Sequence, residues 1–262
     1  MARLCTLASG STGNSTYIST SDGDILVDAG ISCKALMSAI AEAGGDIARL
    51  RAIAVTHTHT DHIKGLKTFL KNAKMPLIAS SETLENLASN NLIPEGIKVI
   101  AADNGIINLG DIVVDFFATS HDAAGSGGYA ITLPDGKRAA VCTDLGVVSD
   151  EIRQKLHGCE TVLMESNHDI EMLRRGPYPA SLKLRILSDQ GHLSNNACAS
   201  ELTSLLKNGT TRIILGHLSA ENNTPFLAES SAKATLADIG ARAGEDYILT
   251  VAKPKTVGVT VF

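Results

Sequence analysis

Three of the chain's eight histidines lie within six residues, His57-Thr58-His59-Thr60-Asp61-His62, directly after the apolar run Ile53-Ala54-Val55. Neutral imidazoles and a carboxylate are ligands that suit zinc and, with more carboxylate or water, manganese or iron. In an extended turn His57 and His59 project the same way, whereas Asp61 and His62 can reach an adjacent position. The stretch therefore predicts a metal centre at a strand end, with two ions rather than one. A surface histidine cluster is the alternative.

Four more residues of metal-binding type stand where an apolar run ends. These residues are Asp28, His121, Asp144 and His217. A rigid sheet places such polar groups at its rim, where binding sites are commonly built. One such residue alone is more often an ordinary turn residue. Four of them, arranged around the histidine stretch, predict a shared site.

The elements that must position these residues fall into two similar halves. Each half begins with short strands that form antiparallel hairpins and continues with helices, which predicts two sheets packed face to face with helices outside. Because the composition shows no break along the chain, we expect one domain over residues 1–262. Helices are predicted at residues 33–43, 62–70, 82–89, 181–187, 195–207 and 225–239.

The overall composition is that of a globular enzyme, with 44% hydrophobic and 19% charged residues. The net charge of −5 gives no general electrostatic footprint for nucleic acid, so such binding needs a local patch or bound metal ions. Aromatic residues make up only 3% and tryptophan is absent, which argues against an extended base-stacking surface.

The cysteines and the hydropathy of the chain bear on its location. Five cysteines are scattered without a CxxC pair, which is typical of reduced, mostly buried thiols in the cytosol. The first apolar run ends by Ala8 and is too short for a signal peptide, and no run approaches the roughly twenty residues of a membrane span. We therefore expect a cytoplasmic protein without membrane partners.

The five strand-end sites, Asp, HxHxDH, His, Asp and His in that order, resemble the motifs of the metallo-β-lactamase superfamily over essentially the whole chain. The resemblance implies an α+β fold, a four-layer αββα sandwich, with two metal ions in the cleft between its halves. It implies that His57, His59 and His121 hold the first ion, that Asp61, His62 and His217 hold the second, and that Asp144 bridges both. Asp28 is then expected behind the ligands, fixing the histidine loop by hydrogen bonds.

Four further segments are similar to the YycJ/WalJ group of this superfamily, namely residues 8–14, 166–169, 191–195 and 217–223. The bacterial members of this group are regarded as metal-dependent exonucleases that act on DNA. The resemblance implies two divalent ions, zinc or manganese with iron as a further candidate, and a DNA substrate. A hydroxide bridging the ions is the expected nucleophile, and Asp61 is expected to orient it or take its proton.

Polar residues outside the five motifs are candidates for contact with the substrate. His192 is predicted to donate a proton to the leaving group or to bind phosphate, with His168 in a supporting role. The loop that contains Ser9, Ser11 and Asn14 can present backbone N–H groups and hydroxyls to a phosphate. The alternatives are that both histidines cap helices or satisfy buried polar groups, and that the loop is a plain turn.

The same metal ligands also suit a thiolester or lactone hydrolase, such as one similar to hydroxyacylglutathione hydrolase. The extra polar segments favour a phosphodiester, and no basic C-terminal cluster for the carboxylates of glutathione stands out. A scaffold that has lost its metal ions is a third hypothesis, and the intact set of seven ligands argues against it. The function predicted best is therefore a metal-dependent phosphodiesterase, specifically a DNA exonuclease.

Overall fold

The computed structural model describes residues 2–103 and 105–262. The strands, in chain order, are Arg3–Ala8 (β1), Ser15–Ser19 (β2), Asp24–Val27 (β3), Leu50–Ala54 (β4), Leu77–Ala79 (β5), Val99–Ala101 (β6), Ile106–Leu109 (β7), Ile112–Ala118 (β8), Gly127–Thr132 (β9), Arg138–Cys142 (β10), Thr161–Glu165 (β11), Arg212–Gly216 (β12), Ile248–Val251 (β13) and Gly258–Val261 (β14). The α-helices are Cys33–Glu42 (α1), Thr60–Ile63 (α2), Leu66–Ala73 (α3), Ser81–Ser89 (α4), Asp150–Leu156 (α5), Ile170–Arg175 (α6), Ala180–Ile186 (α7), Asn195–Lys207 (α8) and Pro225–Asp238 (α9).

The strands form two seven-stranded sheets with the same internal pattern. The first has the order β14-β1-β2-β3-β4-β5-β6 and the second the order β13-β12-β11-β10-β9-β8-β7. From β14 in the first sheet and from β7 in the second, three antiparallel pairings are followed by three parallel ones. The two halves predicted from the sequence are therefore similar in topology, except that β14 returns to the first sheet.

The sheets pack face to face, and helices cover their outer faces. In β3, Ile25 and Val27 point into the core between the sheets, whereas Leu26 points outward to the layer of α1 and α3. Because side chains alternate across a strand, a strand buried on both faces must be apolar throughout. The second sheet is covered in the same way by α8 and α9, which contribute Leu202 and Leu236. The predicted α+β fold, a four-layer αββα sandwich, is confirmed.

The hydroxyl of Tyr129 joins the two sheets directly. Tyr129 lies on β9 of the second sheet, is fully buried, and donates a hydrogen bond of 2.7 Å to the carbonyl of Val55, which follows β4 in the first sheet. This bond lies immediately before the histidine loop. It therefore ties that loop to the opposite half of the molecule.

The predicted helix over residues 62–70 is wrong, because the chain forms two helices, α2 and α3, that are separated at Gly65. The N–H of Gly65 donates to the carbonyl of Ala29 at 2.8 Å. A Cβ atom at Gly65 would lie only 2.2 Å from the carbonyl oxygen of Ile31. The close approach of two backbones therefore breaks the helix, which local helix propensity does not reveal.

Two helices that the sequence analysis did not predict, α5 and α6, both begin with a side-chain cap. Ser149 accepts from the N–H of Ile152, and Asp169 accepts from the N–H of Met172. The other helices lie within two residues of their predicted bounds. In the described part of the chain every helix is too short or too polar to cross a bilayer. The five cysteines are free thiols, and all except Cys33 are buried.

Candidate metal centre and its cleft

The candidate ligands meet at one rim of the sandwich because the strands that carry them end there. The histidine loop follows β4, and the parallel neighbour β3 leads into Asp28 at the same edge. In the second sheet β10 leads into Asp144 and β12 into His217. The carboxyl ends of strands that run in the same direction lie at one edge of a sheet. Residues that follow these strands therefore lie close together.

The first predicted group of ligands is assembled from both sheets. His57 and His59 come from the loop after β4, and His121 follows β8. One ring nitrogen from each lies within 4.8 Å of the others. His59 Nδ1 is 3.3 Å from His121 Nε2. Three imidazoles at this spacing can converge on one cation.

The second predicted group consists of Asp61, His62 and His217, whose ligand atoms also lie within 4.8 Å of one another. Asp61 Oδ2 is 3.6 Å from His62 Nε2 and 3.7 Å from His217 Nε2. This group lies next to the first because His62 and His57 belong to the same loop, with ring centroids 4.2 Å apart.

Asp144 lies between the two groups. Its Oδ2 atom is 3.3 Å from His62 Nε2, and its Oδ1 atom is 3.8 Å from His121 Nε2 and 3.4 Å from His217 Nδ1. The residue is 2% exposed. A carboxylate in this position faces ligands of both groups, which is the arrangement that the sequence resemblance implied.

The donor atoms of this cluster fit divalent cations. Among the described residues, the buried atoms His57 Nε2, His217 Nε2 and Asp144 Oδ2 have no hydrogen-bond partner. Buried polar atoms are nearly always paired, so three unpaired atoms in one cluster call for a ligand. Imidazole nitrogen and carboxylate oxygen are the atoms that zinc, manganese and iron bind in proteins.

The electrostatics of the cluster divide its histidines into two kinds. Burial lowers the pKa of His57 well below its ordinary value and also lowers that of His59, so both are neutral and able to bind a cation. Burial opposes protonation of His62 as well, but the carboxylates of Asp144 and Asp28 outweigh it and raise its pKa to about 9. Without a cation, a proton on His62 thus balances the buried carboxylates.

Asp28 lies behind the histidine loop and forms hydrogen bonds with it. Its Oδ1 accepts from the N–H of Thr56 and its Oδ2 from the Thr56 hydroxyl, both at 2.8 Å. Oδ2 also lies 2.7 Å from His62 Nδ1, which leaves His62 Nε2 to face the cluster. A carboxylate on the outer nitrogen of a ligand histidine fixes the orientation of the ring.

Three site residues adopt a left-handed backbone at the point where their strand ends. Asp28, Asp144 and His217 have φ values of 62°, 61° and 55°. This conformation costs roughly 1–3 kcal/mol for a residue other than glycine, and it persists where surrounding contacts enforce it. At His217 the enforcing contact is a hydrogen bond of 2.8 Å from its N–H to Ser9 Oγ.

Glu165, at the end of β11, is a site residue that the sequence analysis missed. Its Oε1 atom lies 2.6 Å from His217 Nδ1 and 2.9 Å from His192 Nδ1. Its Oε2 atom accepts from the N–H groups of Leu145 and Leu193 at 3.1 Å. Burial raises its pKa, but the two histidines outweigh burial and lower the pKa to about 2. The sequence does contain a signal for Glu165, because it ends an apolar strand, the same pattern that indicated Asp28 and Asp144.

His192 lines the cleft next to this cluster, as its predicted role requires. Because Nδ1 is held by Glu165, Nε2 is the nitrogen that can meet a substrate. The side chain is 18% exposed. Burial lowers its pKa, but the charge and hydrogen bond of Glu165 outweigh burial and raise it.

Of the other predicted substrate-binding residues, only Ser11 lines the cleft. Ser9 is buried beneath His217, and Asn14 is buried with its Nδ2 donating to Asp61 Oδ2 at 3.1 Å. His168 is 1% exposed, and burial lowers its pKa to about 4. Ser9, Asn14 and His168 thus pack behind the residues that line the cleft, where each can support the site without direct contact with a substrate.

The cleft has a volume of about 410 Å³ and two walls. One wall carries the candidate ligands Asp61, Asp144 and His217. The other is formed by Tyr178 and by α7, whose Arg185 donates to Asp122. Asp122 Oδ1 in turn lies 3.5 Å from His121 Nε2. A single ion pair thus links the α7 wall to the first ligand group.

Comparison with known proteins agrees with this geometry. Residues 24–218 match the family model described as a beta-lactamase superfamily domain. Exodeoxyribonuclease YycJ of Bacillus anthracis is 40% identical over 252 residues, which cover 95% of this chain and 94% of that protein. Exodeoxyribonuclease WalJ of Streptococcus pneumoniae is 39% identical over 256 residues, with the same coverage.

Among solved structures, the metallo-beta-lactamase fold protein YhfI from Bacillus subtilis superimposes with a TM-score of 0.70, at 16% identity and 99% coverage of both chains. A likeness at this identity shows a shared fold, whereas the YycJ and WalJ matches extend along nearly the whole sequence. The chain therefore belongs to the metallo-β-lactamase superfamily and, within it, to the YycJ/WalJ family.

Proposed function

We propose that this metal-dependent hydrolase is a DNA exonuclease with two divalent ions at its centre. The observation that carries the proposal is the pair of ligand groups with Asp144 between them, at the base of a cleft. The near full-length similarity to two exodeoxyribonucleases supports DNA as the substrate.

The ligand assignment follows the two groups. His57, His59 and His121 would hold one ion, Asp61, His62 and His217 the other, and Asp144 would contact both. Zinc and manganese suit this set best, and iron also fits it. Two such ions lower the pKa of a shared water toward 7, supply a hydroxide nucleophile, and neutralise charge on a phosphodiester.

The chain's own residues would supply orientation and proton transfer. Asp61 lines the cleft and is held by Asn14, so its carboxylate can orient the attacking water and accept its proton. His192 presents Nε2 to the cleft while Glu165 holds Nδ1, so Nε2 can protonate the leaving oxygen. Ser11 lies at the cleft surface, where its hydroxyl can donate to a phosphate oxygen.

The similarity to the exodeoxyribonucleases YycJ and WalJ supports the end of a strand as the substrate. The cleft has a volume of about 410 Å³, within the range of roughly 300–1,000 Å³ for small-ligand sites, so it can accommodate a terminal nucleotide. The free thiols of the five cysteines support a reducing, cytoplasmic location.

The test compares three substrates with one metal-reconstituted preparation: end-labelled duplex DNA, RNA of the same sequence and an acylglutathione. We expect DNA to be shortened from its ends and the activity to disappear with a chelator. The Asp144→Asn variant, purified in parallel, controls for a contaminating nuclease. Faster cleavage of the acylglutathione than of either nucleic acid would replace this proposal with a thiolester hydrolase.

Metal content provides an independent test. Elemental analysis of gently purified or reconstituted protein should find two divalent ions per chain. A single ion, with no second one taken up during titration with Mn²⁺ or Zn²⁺, would contradict a dinuclear centre.

A further inference from the structure

The cleft wall opposite the candidate ligands carries a partly exposed tyrosine, Tyr178. Among the chain's four tyrosines, Tyr17, Tyr129 and Tyr247 are buried in the described structure, with 0%, 0% and 3% exposure. Tyr178 is partly exposed and lines the cleft. Within the described part of the chain the hydroxyl of Tyr178 makes no hydrogen bond. The aromatic ring is therefore the part of this side chain that is available to a ligand in the cleft.

The backbone around Tyr178 is held in place from both sides. Pro177 and Pro179 flank it, and proline restricts both its own φ and the conformation of the residue before it. A Cβ atom at Gly176 would lie 2.7 Å from Asn222 Oδ1, so this segment packs closely against the loop that follows His217. A ring mounted on such a segment loses little freedom when it binds a ligand.

Apart from Arg185, which is paired with Asp122, the residues of α7 that line the cleft are apolar. Leu182 and Ile186 lie four residues apart on α7 and therefore share one face of the helix. Both line the cleft together with Tyr178. The opposite wall is polar and carries the candidate ligands, including Asp61, together with His192. With cations held by the ligand groups, a ligand that matches both walls would have a flat apolar part attached to an anionic part.

We propose that the Tyr178 ring stacks on the base of the terminal nucleotide while its phosphodiester lies against the ligand wall. The proposal rests on the nuclease function proposed above and names the part of the substrate that this wall binds. Stacking of a base on an aromatic side chain tolerates any base, because every base presents a π-face. Tyr178 is thus a specificity residue for a nucleobase at the chain end, without preference for its sequence.

The experiment compares two oligodeoxynucleotides that differ only in whether the terminal nucleotide carries a base or is abasic, with each end tested separately. The enzymes are wild type, Tyr178→Phe and Tyr178→Leu. Leu184→Ala is the matched control, because Leu184 lies on the same helix, is 71% exposed and does not line the cleft. Metal content of each variant is measured to confirm an intact centre.

We expect wild type to prefer the normal end over the abasic end by about 5- to 150-fold in kcat/KM, mainly through KM, which is the range for one stacked base. Tyr178→Phe and Leu184→Ala should keep this preference. Tyr178→Leu should lose it, while its rate on the abasic end stays at the wild-type value.

Equal cleavage of both ends by wild type would overturn the stacking role, and so would an equal loss on both ends in Tyr178→Leu. If wild type degraded neither oligonucleotide but hydrolysed an acylglutathione, the nuclease function itself would be wrong. The two failures are therefore distinguishable, since the first leaves DNA hydrolysis intact.

Discussion

Glu165 Oε1 lies 2.6 Å from His217 Nδ1, and the same oxygen is 2.9 Å from His192 Nδ1. One fully buried carboxylate thus orients a candidate metal ligand and the candidate proton donor at once. Its other oxygen is held by two backbone N–H groups, so the carboxylate itself has little freedom to move. The ligand group and the leaving-group side of the site are therefore positioned by the same residue.

Replacing the carboxylate of Glu165 should weaken metal binding and DNA hydrolysis together. In Glu165→Gln the amide has one oxygen in place of two equivalent acceptors, so it cannot satisfy both histidines and both N–H groups. We expect metal affinity and DNA hydrolysis each to fall about 10- to 100-fold, as is usual for residues that orient metal ligands. Competition with a chelator measures the affinity. Glu160→Gln, beyond the other end of β11, is the control, and a change of similar size there would refute the assignment.

Asp144→Asn should lower turnover by at least about two orders of magnitude, because a neutral amide bridges two cations poorly. Asn tolerates the left-handed backbone that Asp144 adopts at φ 61°, so the loop should keep its conformation. Circular dichroism and thermal unfolding of the metal-free protein check that folding is preserved. Activity close to wild type would show that Asp144 does not bridge the ions.

His192→Ala tests the proton donor. The loss on natural DNA should lie in the range of about 100- to 10,000-fold expected for a general acid. It should shrink on a nitrophenyl phosphodiester, whose leaving group needs no proton, while the content of metal stays at the wild-type level. Equal losses on the natural and activated substrates would instead assign His192 to phosphate binding.

The pH dependence of stability should differ between metal-free and metal-loaded protein. The carboxylates around His62 outweigh burial and raise its pKa from 6.5 to about 9. A raised folded-state pKa stabilises the protein below pH 6.5, and this contribution is lost as the pH rises toward 9. We expect the Tm of chelator-treated protein to fall over this interval.

The stabilisation by bound metal should increase as the pH rises, because cations compete with protons for the same ligands. The difference in Tm between the two forms should therefore widen as the pH rises from 6.5 to 9. Differential scanning fluorimetry in a buffer series measures it. A constant or narrowing difference would show that His62 does not exchange its proton for a cation.

The sequence was sufficient to predict the candidate ligands because their positions follow from short-range patterns. Each follows an apolar run, and a strand's direction determines the edge at which its last residue lies. The αββα layers were predictable for a similar reason, since runs such as Ile25-Leu26-Val27 are apolar on both faces. The ligand grouping came from the family resemblance rather than from these patterns.

The differences between the predictions and the structure have long-range causes. Gly65 breaks a helix because the backbone of Ile31 approaches it, a contact between loops that no local window contains. Ser9 and Asn14 look like phosphate-binding residues in sequence, but they support His217 and Asp61 from behind. The helix at Asp150–Leu156 could have been predicted from local sequence, since Ser149 is followed by two acidic residues in the first turn.

The first ligand group draws His57 and His59 from one sheet and His121 from the other, beside the hydrogen bond from Tyr129 to Val55. Contacts between distant parts of a chain form late in folding, after the loops between them have closed. A cation that needs both sheets docked should add little to the transition state for folding. It should act on the reverse step, because interactions absent from that transition state slow unfolding. Metal binding should therefore lengthen the lifetime of the native protein without making it fold faster.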